Sequence, residues 1–234
     1  MAGRAAQRVW YPGRGRYLEP MDKHTAGVSP KLGLRERNKL EKLDRIRRAA
    51  QELFEQQGFD ATTTREIAER ADVGIGTLFM YAVDKRDLLF LIFNDALDVM
   101  VDEAFARVDR RKTLSAQAAA VFAHFYQVFH SRAALAKILL RELVFFSEGR
   151  QAAQYLANRQ RIMAGLEDLA KEAIRRGRIR TTESPEQVAK VFFFLYSGEI
   201  RLWLSADEPD LAQGIETLQR TFASYGRGLG ETVR

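Results

Sequence analysis

The residues with the most specific chemical pattern lie in one short stretch, from Thr62 to Lys85. Thr63 and Glu66 have the spacing of a capping box, in which a threonine hydroxyl and a glutamate side chain bond free backbone amides at a helix start. Asp72 lies where the chain must turn, and aspartate tolerates left-handed backbone geometry better than most residues. A second short helix is expected to follow. This order predicts a helix-turn-helix, the motif that places one helix in the major groove of DNA.

The second short helix combines two glycines with side chains that are able to contact DNA. Gly74 and Gly76 each weaken the helix by roughly 1 kcal/mol relative to alanine. Close approach of the backbone to a phosphate or a base edge would compensate for that loss. Leu78 is expected to point to the core. The exposed side is expected to carry Thr77, Met80 and Tyr81. The alternative is an ordinary helical hairpin with a glycine-rich turn.

Helical periodicity dominates the sequence around this stretch. The preceding helix is predicted from Asn38 to Gln57, and Gly58 is a suitable terminator. A long helix is predicted from Lys85 to about Val108. No strand alternation is visible after it, so the predicted fold class is all-α. The remaining helices are predicted near residues 114–131, 133–147, 150–177, 184–204 and 208–229.

Composition restricts the function classes. The chain is 46% hydrophobic and 29% charged, as expected of a soluble globular protein. It has no cysteine and three histidines, so disulfides are excluded and neither a metal site nor a cofactor is expected. We also find no Ser/His/Asp constellation and no phosphate loop, and therefore do not expect an enzyme. The net charge of +6 suits a polyanionic partner without identifying it.

The longest apolar run, from Leu88 to Phe93, is far shorter than the ~20 residues that a membrane span requires. The N-terminus has no apolar core of a secretory signal. We therefore expect a cytoplasmic protein that does not associate with a membrane.

Residues 1–38 differ from the rest because they contain eight arginines and lysines and only three acidic residues. One interpretation is a flexible basic arm that follows the minor groove or the phosphates of DNA. The other is a solvated tail, or an extension upstream of a true start at Met21.

Residues 39–98 resemble the DNA-binding domain of the tetracycline-repressor (TetR) family. The matching segments are KLDRIRRAAQELFEQQGFDATTTREIAERADVGIGTLF and DKRDLL. In this resemblance, Tyr81 takes the place of an aromatic residue or histidine that commonly contacts phosphate, and Lys85 that of the lysine opening the fourth helix. The chain departs from the family pattern at three positions. Asp72 replaces a common glycine, Gly74 a common serine or other helix-capping residue, and Ala82 a common phenylalanine.

After the basic arm (1–38) that the composition indicates, the resemblance implies a helix-turn-helix domain (39–84) and a helical effector-binding and dimerisation domain (85–234). Base reading is expected from Arg65, Ile75, Thr77 and Met80. Phosphate anchoring is expected from Thr63, Thr64, Tyr81 and Lys85. Gly74 and Gly76 complete the set of residues expected to contact DNA.

Aromatic residues concentrate in the C-terminal part of the chain. They predict an apolar pocket for a small hydrophobic or aromatic effector, with Arg141 among the polar groups that would orient it. The alternative is that these aromatic residues form the core. The pocket candidates are Phe93, Phe122, Phe125, Tyr126, Phe129, Arg141, Phe145, Phe193 and Tyr196.

The last helix carries an apolar seam with alternating steps of four and three residues, a pattern suited to helix–helix packing. In the family, the last two helices form an interface between two copies, so the seam predicts a homodimer. The seam would equally suit packing inside one subunit. The interface candidates are Phe192, Leu195, Trp203, Leu211, Ile215, Leu218, Phe222 and Tyr225. Charged residues at positions 222 and 225 are then expected to yield a monomer.

The resulting functional hypothesis is a regulator that a small hydrophobic effector releases from a pseudo-palindromic DNA operator, most simply a repressor. The alternative is a constitutive or architectural DNA-binding protein without a ligand switch.

Overall fold

The computed structural model describes residues 33–143 and 148–231, together with the backbone of residues 9–11 and 16–18. Two short strands, β1 (Val9–Tyr11) and β2 (Arg16–Leu18), pair antiparallel with Trp10 opposite Tyr17. They lie within the predicted basic arm, most of which falls outside the described residues.

All other described elements are helices, which confirms the predicted all-α class for the rest of the described chain. The N-terminal helical unit comprises α1 (Leu34–Gln56), α2 (Thr64–Arg70) and α3 (Ile75–Phe79). The C-terminal helical unit comprises α4 (Lys85–Ala106), α5 (Leu114–His130), α6 (Ala133–Glu142), α7 (Ala152–Arg175), α8 (Pro185–Ser205) and α9 (Leu211–Gly228).

Side-chain caps fix most of the helix starts. Thr63, Asp84, Thr113, Ser184 and Asp210 each accept a bond from a backbone amide in the first turn of the helix that follows. These caps stand close to the helix starts that the sequence predicts. None of the described helices is both long and apolar enough to span a membrane.

Helix α4 joins the two units. Its residues 87–94 are all buried, because α1 covers one side while α5 and α7 cover others. The three-helix unit has its own buried face, formed by Ile46, Leu53, Ile67 and Leu78. Helix α4 is therefore part of the packing of both units.

The centre of the α9 seam packs inside the subunit, which corrects the assignment of Leu218 and Phe222, and of Phe192 on α8, to a dimer interface. Phe222 and Leu218 are fully buried, because α9 lies against α5. The ring of Phe222 is 4.9 Å from that of Phe192 and 5.9 Å from that of Phe122, between centroids. The other interface candidates are partly buried against the same core, and their place in a dimer interface stays a prediction: Leu195, Trp203, Leu211, Ile215 and Tyr225.

Candidate nucleic-acid interface and ligand cavity

The predicted capping box is present at the start of α2. The Thr63 hydroxyl accepts from the Glu66 backbone amide at 3.2 Å, and the Glu66 carboxylate accepts from the Thr63 amide at 2.7 Å. Hydrogen bonds from the Thr63 amide and hydroxyl lower the pKa of Glu66. The box thus fixes where α2 begins, and it leaves the Arg65 side chain exposed in the first turn.

The turn between α2 and α3 has the left-handed geometry expected at Asp72, whose φ is 51°. Its carboxylate pairs with Arg45 of α1 at 2.9 Å, and the Asp72 side chain is 94% exposed. Such an exposed pair contributes little to stability. The turn is therefore held mainly by its backbone, through the bond from the Val73 amide to the Ala68 carbonyl at 3.0 Å.

Helix α3 presents apolar side chains to solvent. Met80 is 70% exposed and Ile75 43% exposed, whereas Leu78 is fully buried. Phe79 and Val83 are also exposed. Four of the eight large apolar side chains that are exposed in the described chain thus lie within residues 75–83. Apolar side chains gathered on an exposed surface mark an interaction site more strongly than scattered ones do.

The fold itself does not require glycine at positions 74 and 76. A Cβ added at Gly76 would meet nothing within 4 Å, and one at Gly74 would only touch the Thr77 hydroxyl at 4.0 Å. Neither residue has a positive φ. Gly74 is the N-cap of α3, where glycine is preferred to alanine, so the predicted cost to helix stability applies only to Gly76. Nothing inside the subunit offsets the cost at Gly76, as expected if a partner approaches this backbone closely.

The predicted anchors Tyr81 and Lys85 lie beside α3 and also bond within the subunit. The Tyr81 hydroxyl donates to the Lys39 carbonyl at 3.3 Å. The Lys85 ammonium donates to the Asp60 carbonyl at 3.0 Å and lies 4.6 Å from the centre of the Phe59 ring. Thr63 and Arg65 are exposed and Thr64 is half-buried at the start of α2. Contact of these residues with DNA stays a prediction.

A buried carboxylate connects the recognition region to the C-terminal unit, and sequence reasoning missed it. Asp87 has no exposed surface and accepts three backbone N–H groups, from Val83 at 2.9 Å, Arg150 at 2.9 Å and Gln151 at 2.8 Å. The only signal in the sequence was a single aspartate directly before an apolar run.

The segment before α7 also bonds the end of α3 directly. Arg150 donates from Nε to the Phe79 carbonyl at 3.1 Å, and the Gln151 side-chain amide donates to the Tyr81 carbonyl at 3.2 Å. We call Asp87, Arg150 and Gln151, with the backbone groups they bond, the α6–α7 latch. It ties the C-terminal end of α3, the second helix of the helix-turn-helix, which we call the recognition helix, to the segment between α6 and α7.

Arg141 has a different role from the one predicted. Its guanidinium forms two bonds to the Asp60 carboxylate, at 2.9 and 3.0 Å, because the end of α6 lies beside the loop before α2. Hydrogen bonding from Arg141 lowers the pKa of Asp60. The residue therefore links the two helical units and does not line the cavity described next.

The C-terminal unit contains a cavity of about 340 Å³ between α4, α5, α6, α7 and α8, which we call the effector cavity. Most of its wall is apolar, with Leu139, Leu140 and Leu143 at the end of α6 and Tyr155 near the start of α7. Four of the predicted pocket residues line it: Phe125, Phe129, Phe193 and Tyr196.

The other aromatic candidates lie elsewhere. Phe122 and Tyr126 are fully buried in the core, and Phe122 stacks on Tyr196 with 4.0 Å between ring centroids. Both residues therefore belong to the core, as the alternative interpretation of the aromatic residues predicted. Phe93 lines a separate cavity next to α1. Phe145 lies outside the described residues.

Two cationic residues of the effector cavity were missed by sequence reasoning. Arg159 of α7 and Arg201 of α8 line it together with Asn158 and Ser197, and no carboxylate is among the lining residues that the structure describes. Burial raises the pKa of Tyr196, so its hydroxyl stays neutral. Neither arginine stands out in the sequence, because arginines on amphipathic helices are usually solvated.

Comparison with known proteins agrees with this geometry. Residues 46–92 match the family described as "Bacterial regulatory proteins, tetR family". The HTH-type transcriptional regulator HbdR of Aromatoleum sp. (strain CIB) is 40% identical over 63 residues, which cover 27% of this chain and 28% of that protein. An HTH-type transcriptional regulator of Staphylococcus aureus (strain USA300) is 31% identical over 61 residues, 26% of this chain and 33% of that one. The chain thus matches a third or less of the length of these relatives.

Solved structures share the fold over most of the chain. Thermus thermophilus FadR, a TetR-family transcriptional repressor in complex with lauroyl-CoA, aligns with a TM-score of 0.59 and 24% identity, over 82% of this chain and 96% of that one. Bacillus subtilis FadR in complex with stearoyl-CoA aligns with a TM-score of 0.60 and 18% identity, over 77% and 97% of the two chains. At these identities the likeness concerns the fold alone. The chain therefore carries, within residues 46–92, a helix-turn-helix domain of the TetR family of bacterial regulatory proteins.

Proposed function

We propose that this protein is a dimeric transcriptional repressor that leaves a pseudo-palindromic operator when a small amphiphile fills the effector cavity. The observation that carries the DNA-binding part is the exposed apolar surface of residues 75–83 beside the capped start of α2. Ile75 and Met80 suit contact with thymine methyl groups, and the exposed Arg65 suits a guanine edge. Selection of bound fragments from random DNA, followed by footprinting, tests the proposal. A pair of related half-sites supports it, whereas the absence of any consensus favours the architectural alternative.

Base-reading and phosphate-anchoring residues are expected to respond differently to substitution. Ile75→Ala is expected to relax the preference at one base pair by about 1 kcal/mol. Lys85→Ala is expected to weaken binding to all sequences alike and to lower the salt slope by about 1. Binding of operator and scrambled duplexes over a range of salt concentrations measures both effects.

The binding measurements on the Ile75 and Lys85 variants need a stability control and a second phosphate-anchoring variant. Because Lys85 also bonds the Asp60 carbonyl, the thermal stability of its variant must be compared with that of the wild type. Tyr81→Phe should resemble Lys85→Ala in its lack of sequence preference. If Ile75→Ala weakens all duplexes equally while Lys85→Ala changes the preferred sequence, the assigned roles are reversed.

The lining of the effector cavity supports a ligand with an apolar body and an anionic group. The apolar residues from α5, α6 and α8 would hold the body, and Arg159 and Arg201 would hold the anion. Two proteins of the same fold bind lauroyl-CoA and stearoyl-CoA. We infer that the effector is an acyl thioester or an amphiphile of that class, which adds a negative group to the hydrophobic ligand predicted from the sequence.

Lauroyl-CoA is a direct probe of this inference. Arg159→Gln and Arg201→Gln are each expected to weaken its binding about tenfold, because each removes a charge-assisted bond. Isothermal titration calorimetry measures the change. Arg175→Gln, an exposed position on the same helix as Arg159, is the matched control and should bind like the wild type. If all three variants bind alike, the arginines do not hold the ligand.

The effector cavity and the recognition helix share structural elements. Leu143 and Tyr155, on either side of the α6–α7 segment, line the cavity, while Arg150 and Gln151 within that segment bond the end of α3. We propose that a ligand between α6 and α7 displaces this segment and loosens the latch. The ligand must bind the loosened state more tightly, because a ligand with equal affinity for both states shifts nothing.

The dimer is proposed to form through the outer face of α8. Leu202 is 70% exposed and Phe194 59% exposed, and Val191 and Gly198 lie on the same face at helical spacing. A Cβ at Gly198 would meet nothing within 4 Å, so this position leaves room for the close approach of a second helix. A self-complementary face of this kind fits a two-fold dimer that reads two half-sites.

A further inference from the structure

A second cavity, of about 380 Å³, lies where the two helical units meet. We call it the junction cavity. Helix α1 forms one wall through Arg47, Arg48 and Gln51, and α4 and α5 form the others. Its volume is in the range typical of small-molecule sites. Phe93, predicted from the sequence to line a ligand pocket, lines this cavity and not the effector cavity.

One side of the junction cavity is apolar. Ile92, Phe93 and Met100 of α4 face it, as do Val128 and Phe129 of α5. Phe129 also lines the effector cavity, so its ring is part of the wall of both. This side is suited to the hydrocarbon or aromatic part of a small molecule.

The other side contains a buried guanidinium with an unmet donor. The Arg47 side chain is 15% exposed and pairs through Nη2 with the Asp95 carboxylate at 2.6 Å. Its Nε is buried and has no hydrogen-bond partner among the described residues. Buried donors nearly always have an acceptor, because an unmet one costs free energy. Arg47 therefore has a donor whose hydrogen bond is not met within the described chain.

The charges around the junction cavity favour an anion. All three of its carboxylates already pair with an arginine: Asp44 with Arg48, Asp95 with Arg47, and Glu103 with Arg107.

On the cationic side, the Arg132 guanidinium lines the cavity without a hydrogen bond or ion pair to any residue in the described part of the chain. Two arginines thus have donors to offer, while every carboxylate is occupied.

We propose that the junction cavity is a second small-molecule site, for an organic anion with one carboxylate or sulfonate group on an apolar body. Arg47 and Arg132 would bind the anionic group, and Phe93, Met100 and Phe129 would enclose the body. Because its walls belong to both helical units, occupancy of this site is linked to the position of the DNA-binding unit relative to α4.

Anilinonaphthalene sulfonate, a fluorescent organic anion, is a suitable probe on the full-length protein. The wild type is expected to bind two molecules per subunit by calorimetry, one in each cavity. Ala96→Trp fills the junction cavity, and Ser197→Trp, the matched control, fills the effector cavity. Each variant should bind one molecule, and the double variant none. The proposal is overturned if Ala96→Trp binds as many molecules as the wild type, whether that number is one or two.

Substitutions in the Arg47–Asp95 ion pair distinguish a role of Arg47 in ligand binding from a purely structural role. Arg47→Gln is expected to weaken the junction site about tenfold, because it removes a charge-assisted bond. Asp95→Asn is expected to strengthen it several-fold, because the guanidinium loses its competing carboxylate. If Arg47 only holds the units together, both variants weaken binding alike, and that result contradicts the proposal.

Two further measurements keep the test independent of folding. Arg132→Gln at the rim is expected to weaken the junction site without the loss of a structural bond, and equal affinity in this variant counts against the proposed anion contact. Phenylnaphthylamine, the uncharged analogue of the probe, should bind wild type and Arg47→Gln equally. Weaker binding of the neutral analogue to Arg47→Gln would assign the effect to altered packing and overturn the role of charge.

Discussion

Replacement of Asp87 by alanine is expected to lower the free energy of unfolding by roughly 3 kcal/mol or more. The substitution leaves three partly buried backbone N–H groups, those of Val83, Arg150 and Gln151, without the carboxylate that accepts them. Each unmet buried donor costs about 1–3 kcal/mol. Urea unfolding measures the change, and Asp102→Ala on the same helix is the control. Asp102 is 75% exposed, and its ion pair with Arg161 is expected to contribute no more than about 1 kcal/mol.

The same substitution is expected to uncouple operator release from the effector cavity. Without Asp87, the segment before α7 loses two of its bonds to the start of α4, so its displacement no longer reaches the recognition helix. The ratio of operator affinities without and with lauroyl-CoA should fall towards one. Arg150→Ala separates the two effects, because it removes the side-chain bond to the Phe79 carbonyl and keeps the backbone bonds to Asp87. It should reduce the coupling at little cost in stability.

Gly149 gives an independent approach to the same latch. A Cβ at this position would lie 2.7 Å from the Asp87 carboxylate oxygen, and its φ of 119° already disfavours any other residue. Gly149→Ala should therefore resemble Asp87→Ala in stability and in coupling. Asp87→Ala with wild-type stability and an unchanged affinity ratio would show that the latch is not the link. A wild type that ignores lauroyl-CoA would instead count against the proposed effector, and the stability comparison would still stand.

Local signals made the helices and the turn predictable from the sequence. The Thr63–Glu66 box, the turn at Asp72 and the capped starts of α8 and α9 depend on residues within a few positions of each other. Such features follow from backbone hydrogen bonding and steric limits that act within one turn of chain. They are accordingly found at, or within a few residues of, the predicted places.

The features that the sequence did not predict depend on which elements pack together. The pattern of α9 shows that the helix has an apolar face, but not that α5 of the same subunit covers it. Arg141 lies in an apolar segment, yet it reaches Asp60 because the end of α6 meets the loop before α2. Asp87 and Arg150 are 63 positions apart in sequence, and only the tertiary fold brings them together.

Substitutions of Phe222 on the α9 seam and of Leu202 on the outer face of α8 are expected to have different consequences for stability and assembly. Phe222→Ala is expected to destabilise the subunit by about 3–5 kcal/mol, the usual cost of a cavity in place of a buried aromatic ring. Its ring is fully buried between Phe122 and Phe192, so a charge there would unfold the chain and would not release an intact monomer. We therefore expect charged residues at positions 222 and 225 to unfold the protein, and no longer expect them to yield a folded monomer.

Leu202→Glu is expected to give the opposite result, a folded monomer. Its side chain is 70% exposed in the subunit, and surface substitutions of this kind usually change stability by no more than about 0.5 kcal/mol. In the proposed dimer, however, two glutamates would face each other across an apolar contact. Sedimentation velocity measures the assembly state and circular dichroism the fold. Leu40→Glu, at an exposed leucine on α1, is the matched control and should remain a dimer.

The unfolding midpoints of these variants must be compared over a range of protein concentrations. Association stabilises a dimer, so its unfolding midpoint rises with protein concentration, whereas that of a monomer does not. The wild type and Leu40→Glu should show that dependence, whereas Leu202→Glu should unfold at one midpoint at all concentrations. Phe222→Ala should keep the concentration dependence, with every midpoint lowered. A Leu202→Glu protein that still sediments as a dimer would place the interface elsewhere. A stable monomeric Phe222→Ala would return the α9 seam to the interface, against the burial of its ring inside the subunit.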